Sequence, residues 1–449
     1  MYKLVLAFRY MFKRRISYLA LAAVGLCVFV VVVVMTVMTG LVVDFRQKNH
    51  EFAGDCVVGT DSLVGFGYYE EFIEILEQSE FVEAVSPVVK GYALVSGAGS
   101  ERNYGFELMG VDADRHSAVT GFGRALHYHQ DDWANAFRPS YEPNLPGFVA
   151  GIDIWLERDL RSKYTHPSEP TRRRFSVSCF PLTAKGALAR AGTDVVRTRT
   201  FYFSDTSHSG LAKVDGAMIY IPFEWAQQLS GMGGAVKRAS AIHIKFTAGT
   251  DLSVGCAGVN DLWEKFKAGK QNEKAAALLE TVRVQNWKDY RRQFIAAMEK
   301  EQVMLTIMFA LAGTTTVFVV FVVFYMIVSH KSKDIGILKS VGASDGSVAG
   351  LFRLFAVMMG LSGSVVGSLA GWLFLTKIND IENWLFERFG FQLWDRTVYA
   401  IGAIPNRLEP GVLAIVCACA VLACMAGAYL PSRRAAVSAP AAVLQVNQL

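Results

Sequence analysis

The chain has 449 residues, of which 52% are hydrophobic and 19% charged, with a formal net charge of +5. That is too apolar for an ordinary soluble protein and too charged for a bundle of membrane helices alone, so membrane segments and a sizeable water-facing part are both required. The basic residues flank hydrophobic runs and do not gather on one folded face, which argues against nucleic acid as a partner and for membrane lipids.

Residues 1–15 hold Lys3, Arg9, Lys13, Arg14 and Arg15 and no acid, a basic N-terminal segment. Residues 16–43 carry no charge. As a helix they would be about 42 Å long against a hydrocarbon core of about 30 Å, so a first membrane span is predicted, tilted or prolonged as a stalk. The run exceeds the apolar core of a signal peptide and no A-x-A site closes it, so it reads as a retained anchor. Residues 44–302 contain no comparable run and are predicted to fold outside the membrane, ending in a stalk. There, "YYEEFIEILEQSEFVEAVSPVV" (68–89) predicts an amphipathic helix and then a strand, with Phe72, Ile75 and Leu76 at helical spacing. "AMIYIPFEWAQQL" (217–229) predicts a strand and a helix, and "AIHIKF" (241–246) a half-buried strand. "TVRVQNWKDYRRQFIAAMEKEQ" (281–302) predicts a strand and then a helix running into the second span. Strands and helices mix without βαβ alternation, so the outer domain is expected to be α+β. Residues 113–147, rich in Pro, His and Asn, read as a long surface insertion.

Residues 303–329, 354–376 and 411–432 are three further uncharged runs, each long enough to span. Between them lie segment 330–353, loop 377–410 and tail 433–449. Lys331, Lys333 and Lys339 in the first of these, and Arg433 and Arg434 in the tail, match the basic N-terminus. Loop 377–410 has four basic and five acidic residues. The bias puts both termini and segment 330–353 in the cytoplasm and the large domain outside. The third span carries Gly360, Gly363, Gly367 and Gly371, small residues that let helices approach closely in lipid.

Little points to chemistry within the chain. There is no phosphate-binding G-x-x-x-x-G-K-[ST] loop; Gly269-Lys270 is followed by Gln271. No H-E-x-x-H or C-x-x-C occurs, so neither a metal nor any other cofactor is expected. His127 and His129, in "HYHQDD", match no established metal spacing and read as a solvated loop. The Gly-x-Gly sequences at 65–67 and 97–99 read as turns. Asp205, Ser207 and His208 are too close in sequence for a triad and lack a nucleophile elbow. Cys27, Cys417, Cys419 and Cys424 lie in apolar runs; Cys56, Cys179 and Cys256 allow one disulfide at most, with the pairing open.

In "HKSKDIGILKSVGAS" (330–344), Ile335, Leu338 and Val341 recur at three-residue steps beside Ile337, Gly342 is placed to end a helix, and Ser344 to cap the next. Such a helix either lies on the membrane or presents an apolar face to a partner. The segment resembles the cytoplasmic loop after the second span of the FtsX-like permease family, the mechanotransmission type of ABC transporter. "AFRYMFKRR", "VVVVMTVMTGL", "NWKDYRRQFIAAMEKEQ", "HSGLAKVDGAMIYIPFEWAQQL" and "YLPSRRAAVSAPAAVLQ" are similar to its lipoprotein-releasing (Lol-type) branch. The resemblance implies a non-catalytic permease subunit in the cell inner membrane with four spans and an α+β extracytoplasmic domain. It implies a separate cytoplasmic ABC ATPase docked on Lys331, Lys333, Asp334, Ile335, Gly336, Ile337, Leu338, Lys339, Val341, Gly342, Ala343 and Ser344. A second permease subunit, identical or related, and a lipid-anchored client or periplasmic carrier complete the expected partners. Val33, Val37, Leu41 and Met304 would then line an apolar cavity suited to acyl chains. A regulator of cell-wall hydrolases and an efflux permease for amphiphiles or peptides remain open.

Overall fold

The computed structural model describes residues 15–97, 102–157, 164–188, 196–273, 275–330, 332–390 and 404–437. Lys3, Arg9, Lys13, Arg14 and Lys331, residues 391–403 of the predicted loop, and tail residues 438–449 lie outside the described residues. In chain order the elements are α1 (Arg15–Ala53), β1 (Cys56–Gly59), β2 (Phe66–Gly67), α2 (Tyr69–Glu77), β3 (Val82–Gly97), β4 (Tyr104–Val111), α3 (Ala113–Val119), β5 (Gly147–Gly151), β6 (Arg174–Cys179), β7 (Arg197–Ser207), β8 (Met218–Pro222), α4 (Phe223–Leu229), β9 (Arg238–Ala239), β10 (Ala241–Phe246), α5 (Leu252–Gly269), β11 (Arg283–Asn286), α6 (Arg292–His330), α7 (Ser332–Ser340), α8 (Asp345–Phe389) and α9 (Pro410–Val437), with short helical turns between some of them. The chain forms two compact units. One is Asp44–Ala296; the other is helical and holds α1 up to Val43, α6 from Ala297, and α7 to α9.

The first unit is built on a mixed sheet in the order β11-β1-β10-β3-β4-β8-β5-β7-β6, and β6 also pairs with the far end of β3. Strands β3, β4, β8, β5, β7 and β6 therefore close on themselves as a ring. Closure is possible because β3 is 16 residues long. Its first half pairs with β10 (Ala241↔Val88) and its last five residues with β6 (Ala93↔Cys179). Inside the ring Phe148, Phe201, Phe203, Leu108, Val177 and Ile219 form one core. On the open β1–β10 wing, α2 and α5 bury Phe72, Leu76, Trp263 and Phe266 against Cys56, Val58 and Ile244. The wing is covered on its other face too, by Phe52, Ala113, Phe122 and Trp287. Strand β10 is therefore buried on both faces, not half-buried as its alternation predicts, and only Lys245 reaches partial exposure.

Residues 113–147 are not a surface insertion. Ala113, His116, Val119, Phe122, Leu126, His129 and Ala136 are buried, and four of these, Ala113, Phe122, Leu126 and Ala136, belong to the wing's second core. Short elements hide this periodicity: α3 is seven residues long and the helix after it four. The stalk before the second span is also broken. A turn over Trp287–Tyr290 ends at Arg291, and α6 begins afresh at Arg292.

Four described helices, α1, α6, α8 and α9, are long and apolar enough to cross a membrane. Each outlasts its uncharged run: α8 continues through Lys377 as far as Phe389, and ends at Gly390 with φ 65°. The helical unit buries Val24, Val28, Val32, Val320, Val323, Phe352, Phe355, Met359 and Cys424, and leaves Leu26, Leu311, Phe318, Leu369 and Leu422 more than half exposed, as a lipid-facing surface requires.

Candidate functional site

Segment 332–344 is a two-turn helix and a tight reversal. Gly342, at φ +100°, has the backbone conformation that a side chain disfavours, and its N–H donates to Lys339 O over 3.0 Å. Ser344 caps α8 by accepting from Ser347 N at 3.3 Å. Ile335 is buried in the core it shares with Phe352 and Phe355, and Gly336 is buried beside it. Lys339 turns inward: only 10% of its side chain is exposed. Its Nζ lies 2.8 Å from Asp345 Oδ1 and donates to Ala436 O over 2.5 Å. One lysine therefore ties α7 to the start of α8 and the end of α9. Arg434, two residues earlier on α9, stands 5.8 Å over the Tyr325 ring of α6. Ile337 and Val341, four residues apart on one face, point outward at 55% and 84% exposure. Lys333, Asp334 and Leu338 belong to α7, and Ala343 packs beside the shared core.

The remaining predicted residues separate. Leu41 is buried, Val33 and Val37 are half-buried, and Met304 is 59% exposed. A Cβ on Gly371 would lie 3.8 Å from Val33 Cγ2, so Val33 faces α8. The glycine stripe of α8 lies against two helices. Added Cβ atoms at Gly363 and Gly367 would come within 2.6 Å of Val24 Cγ1 and 2.8 Å of Val28 Cβ, whereas Gly360 meets Val421 of α9.

Within the unit Asp44–Ala296, the ends of α1 and α6 are joined. Arg291 Nε donates to Asn49 Oδ1 over 2.8 Å, and its guanidinium sits 4.7 Å from the Phe52 ring and 4.3 Å from Phe294. His50 stacks on Trp287 at 4.8 Å and contacts Asp55 Oδ1 at 2.7 Å. Beside this joint is a cleft of about 270 Å³ lined by Lys90, Tyr290, Arg291, Arg283, Glu107 and Asp61. Lys90 Nζ donates to Tyr290 Oη. Burial, and after it the neighbouring Arg291, pulls the Lys90 ammonium down to about 7. Burial lowers Arg291 to about 10 and His116 to about 3, and holds His243 well below the usual histidine range. His116 Nδ1 is 3.1 Å from Ser86 Oγ, and His243 Nδ1 is 2.8 Å from Ala53 O. Sequence gave no sign of this joint, whose partners are 242 residues apart.

His127 and His129 serve structure. The buried Asp205 carboxylate accepts from the backbone N–H groups of His127, Tyr128 and His129 and faces His129 Nδ1 at 3.0 Å, while His127 stacks on His166 at 3.5 Å. Asp205 thus turns to His129, and His208 lies 3.6 Å from Asp215 instead. Among the described residues no group of three His, Cys, Asp or Glu is placed to hold a metal ion.

The family model described as FtsX-like permease C-terminal matches residues 306–440, which include α7, α8 and α9 up to its last residue. Over 97% of the chain the sequence is 22% identical to the lipoprotein-releasing system transmembrane protein LolC of Neisseria meningitidis, covering 95% of that protein. Residues 306–440 therefore carry the FtsX-like permease C-terminal domain. LolC of Xylella fastidiosa is 20% identical over 96% of both chains, and LolE of Haemophilus influenzae is 28% identical over 26% of the permease and 29% of its own length. Among solved structures, the periplasmic region of MacB from Actinobacillus actinomycetemcomitans aligns with 56% of the permease and 97% of its own chain, at TM-score 0.30 and 11% identity. The permease is of the ABC-transporter type shared by FtsX and LolC, an inner-membrane protein with apolar helices.

Proposed function

We propose that the permease couples ATP turnover on a separate cytoplasmic ATPase to movement of the extracytoplasmic unit, and that this movement releases lipid-anchored proteins from the inner membrane. The observation that carries the coupling is the division of labour on α7. Lys339 and Ile335 are consumed by internal contacts, while Ile337 and Val341 leave an exposed apolar face that none of the described residues covers. An apolar helix face beside a membrane span fits a hydrophobic groove on a soluble partner. Lipoprotein release as the output rests on the near full-length similarity to LolC. The permease works here beside a second permease subunit, with both termini and α7 in the cytoplasm.

The test is co-purification from detergent-solubilised membranes. Ile337→Glu with Val341→Glu is expected to lower recovery of the ATPase by about tenfold or more, because a charge desolvated in an apolar groove costs more than the contact it replaces. Unchanged recovery overturns the docking assignment. For the output, a photo-crosslinker at Val37 or Met304 is expected to capture a lipid-anchored protein. Efficient ATPase coupling with no captured client would instead favour an extracytoplasmic regulator.

A further inference from the structure

Two cysteines, far apart in sequence, meet in the unit Asp44–Ala296. Cys56 opens β1, three residues after α1 ends, and is fully buried between its sheet partners Ile244 and Asn286. Cys256 stands in the second turn of α5, half-buried against the core that contains Cys56. Helix α5 is held there by its Asp251 cap, which accepts from Ser253 N at 2.8 Å, and by Gly255 packing on the Phe246 ring. Helix α5 packs on β1 here, and Cys256 lies against the same core that holds Cys56. The other cysteine of this unit, Cys179, lies in the separate core inside the strand ring.

We propose that Cys56 and Cys256 are a disulfide site, oxidised in the mature permease by an extracytoplasmic thiol–disulfide oxidoreductase. The inference rests on the outward placement of this unit given under the proposed function, because such bonds persist in oxidising compartments and not in the cytosol. Cys256 is the accessible member and reacts first. Its thiolate attacks one sulfur of the oxidant's disulfide, that S–S bond breaks, and one oxidant cysteine leaves as a thiolate that takes up the proton. Cys56, deprotonated in turn, attacks Cys256 Sγ and expels the second oxidant cysteine. The permease loses two electrons and two protons and the oxidant leaves as a dithiol. The pairing favours this order: the neighbouring Cys56 thiol lowers the Cys256 thiol, while Cys256 and burial raise Cys56. The bond would close a loop of roughly 200 residues and strap β1, the strand beside the end of α1, to α5.

The test uses the full chain in native membranes, with thiols trapped by N-ethylmaleimide at lysis and counted after denaturation with a mass-tagged maleimide. Two fewer of the seven cysteines should react before reduction than after. Cys56→Ser and the milder Cys256→Ser should each abolish that difference, and a digest should yield one linked peptide joining the two positions. Seven reactive thiols before reduction overturn the proposal, as does a difference that survives either substitution. Sidedness is read separately by an impermeant maleimide on Asn272→Cys, an exposed position after α5. Labelling from outside together with seven free thiols overturns the disulfide alone. Labelling only from the cytoplasmic side overturns the outward placement, and the disulfide with it.

Discussion

Lys339 is one of three lysines in segment 330–344, and its ammonium is spent on Asp345 and on the Ala436 carbonyl. Replacing it by alanine should therefore act on folding before docking. Lys339→Ala is expected to destabilise the helical unit by about 2 kcal/mol, the scale of a lost charged hydrogen bond, and to lower ATPase recovery only as a consequence. Ile337→Glu should do the reverse, keeping thermal stability and losing recovery. Thermal unfolding and co-purification on the same samples separate the two; equal stability of Lys339→Ala and the parent would contradict the inward placement. The sequence showed the helix, its Gly342 stop and its Ser344 cap, because these are local. It could not show which lysine was internal, because Ala436 is 97 residues away. The buried histidines give the residue scale its pH dependence. His116 binds a proton at about 6.5 when unfolded and only near 3 in the fold, so between those values the unfolded state holds more protons. Stability accordingly falls as pH drops from about 6.5 toward 3, and His243 acts in the same direction. His116→Gln, which can keep a hydrogen bond to Ser86, is expected to flatten the acid limb of a melting-temperature curve; an unchanged slope would remove His116 as its cause.

At the scale of elements, the glycines of α8 show what a spacing in sequence does and does not specify. Repeats of three and four residues put Gly360, Gly363, Gly367 and Gly371 on one stripe, and that much is legible without coordinates. That Gly363, Gly367 and Gly371 serve α1 while Gly360 serves α9 is a tertiary fact, set by how the helices cross. Gly367→Leu drives a side chain into the Gly25–Val28 backbone turn of α1, which has no flexible end to yield. A loss of several kcal/mol, or failure to recover folded protein, is expected. Gly346→Ala, in the first turn of the same helix with open space around it, should be neutral or stabilising by up to about 1 kcal/mol. The pair is checked by thermal unfolding in one detergent; similar effects at both sites would mean that helix propensity, not close approach, governs α8. The ring in the unit Asp44–Ala296 was less accessible still. Of its strands only β3 and β8 are predicted from the sequence, and β3 meets β6 across some 80 residues, a pairing that no local pattern encodes.

At the scale of the molecule, α1 and α6 each begin in one compact unit and end in the other, and they are the two membrane-length helices that do so. In the coupling proposed above, a force entering at α7 would reach the unit Asp44–Ala296 through α6, and what α6 could move there depends on what holds its first turn. The helix does not run unbroken into the sheet; it starts anew at Arg292, so the grip rests on side chains. Arg291 bonded to Asn49 and His50 stacked on Trp287 make α1 and α6 enter the unit as a pair. The Arg291 guanidinium, wedged between Phe52 and Phe294, cannot shed its partner without leaving a buried donor unpaired. Weakening that joint should separate ATP turnover from mechanical output. Asn49→Ala is expected to leave ATPase activity in the reconstituted complex near its parental rate and to cut ATP-dependent release of a lipid-anchored protein from proteoliposomes by about tenfold, the cost of roughly one charged hydrogen bond in the coupling step. Parallel loss of both activities would mean that Asn49 only supports the fold, whereas full release at normal turnover would show that the two helices move the outer unit independently.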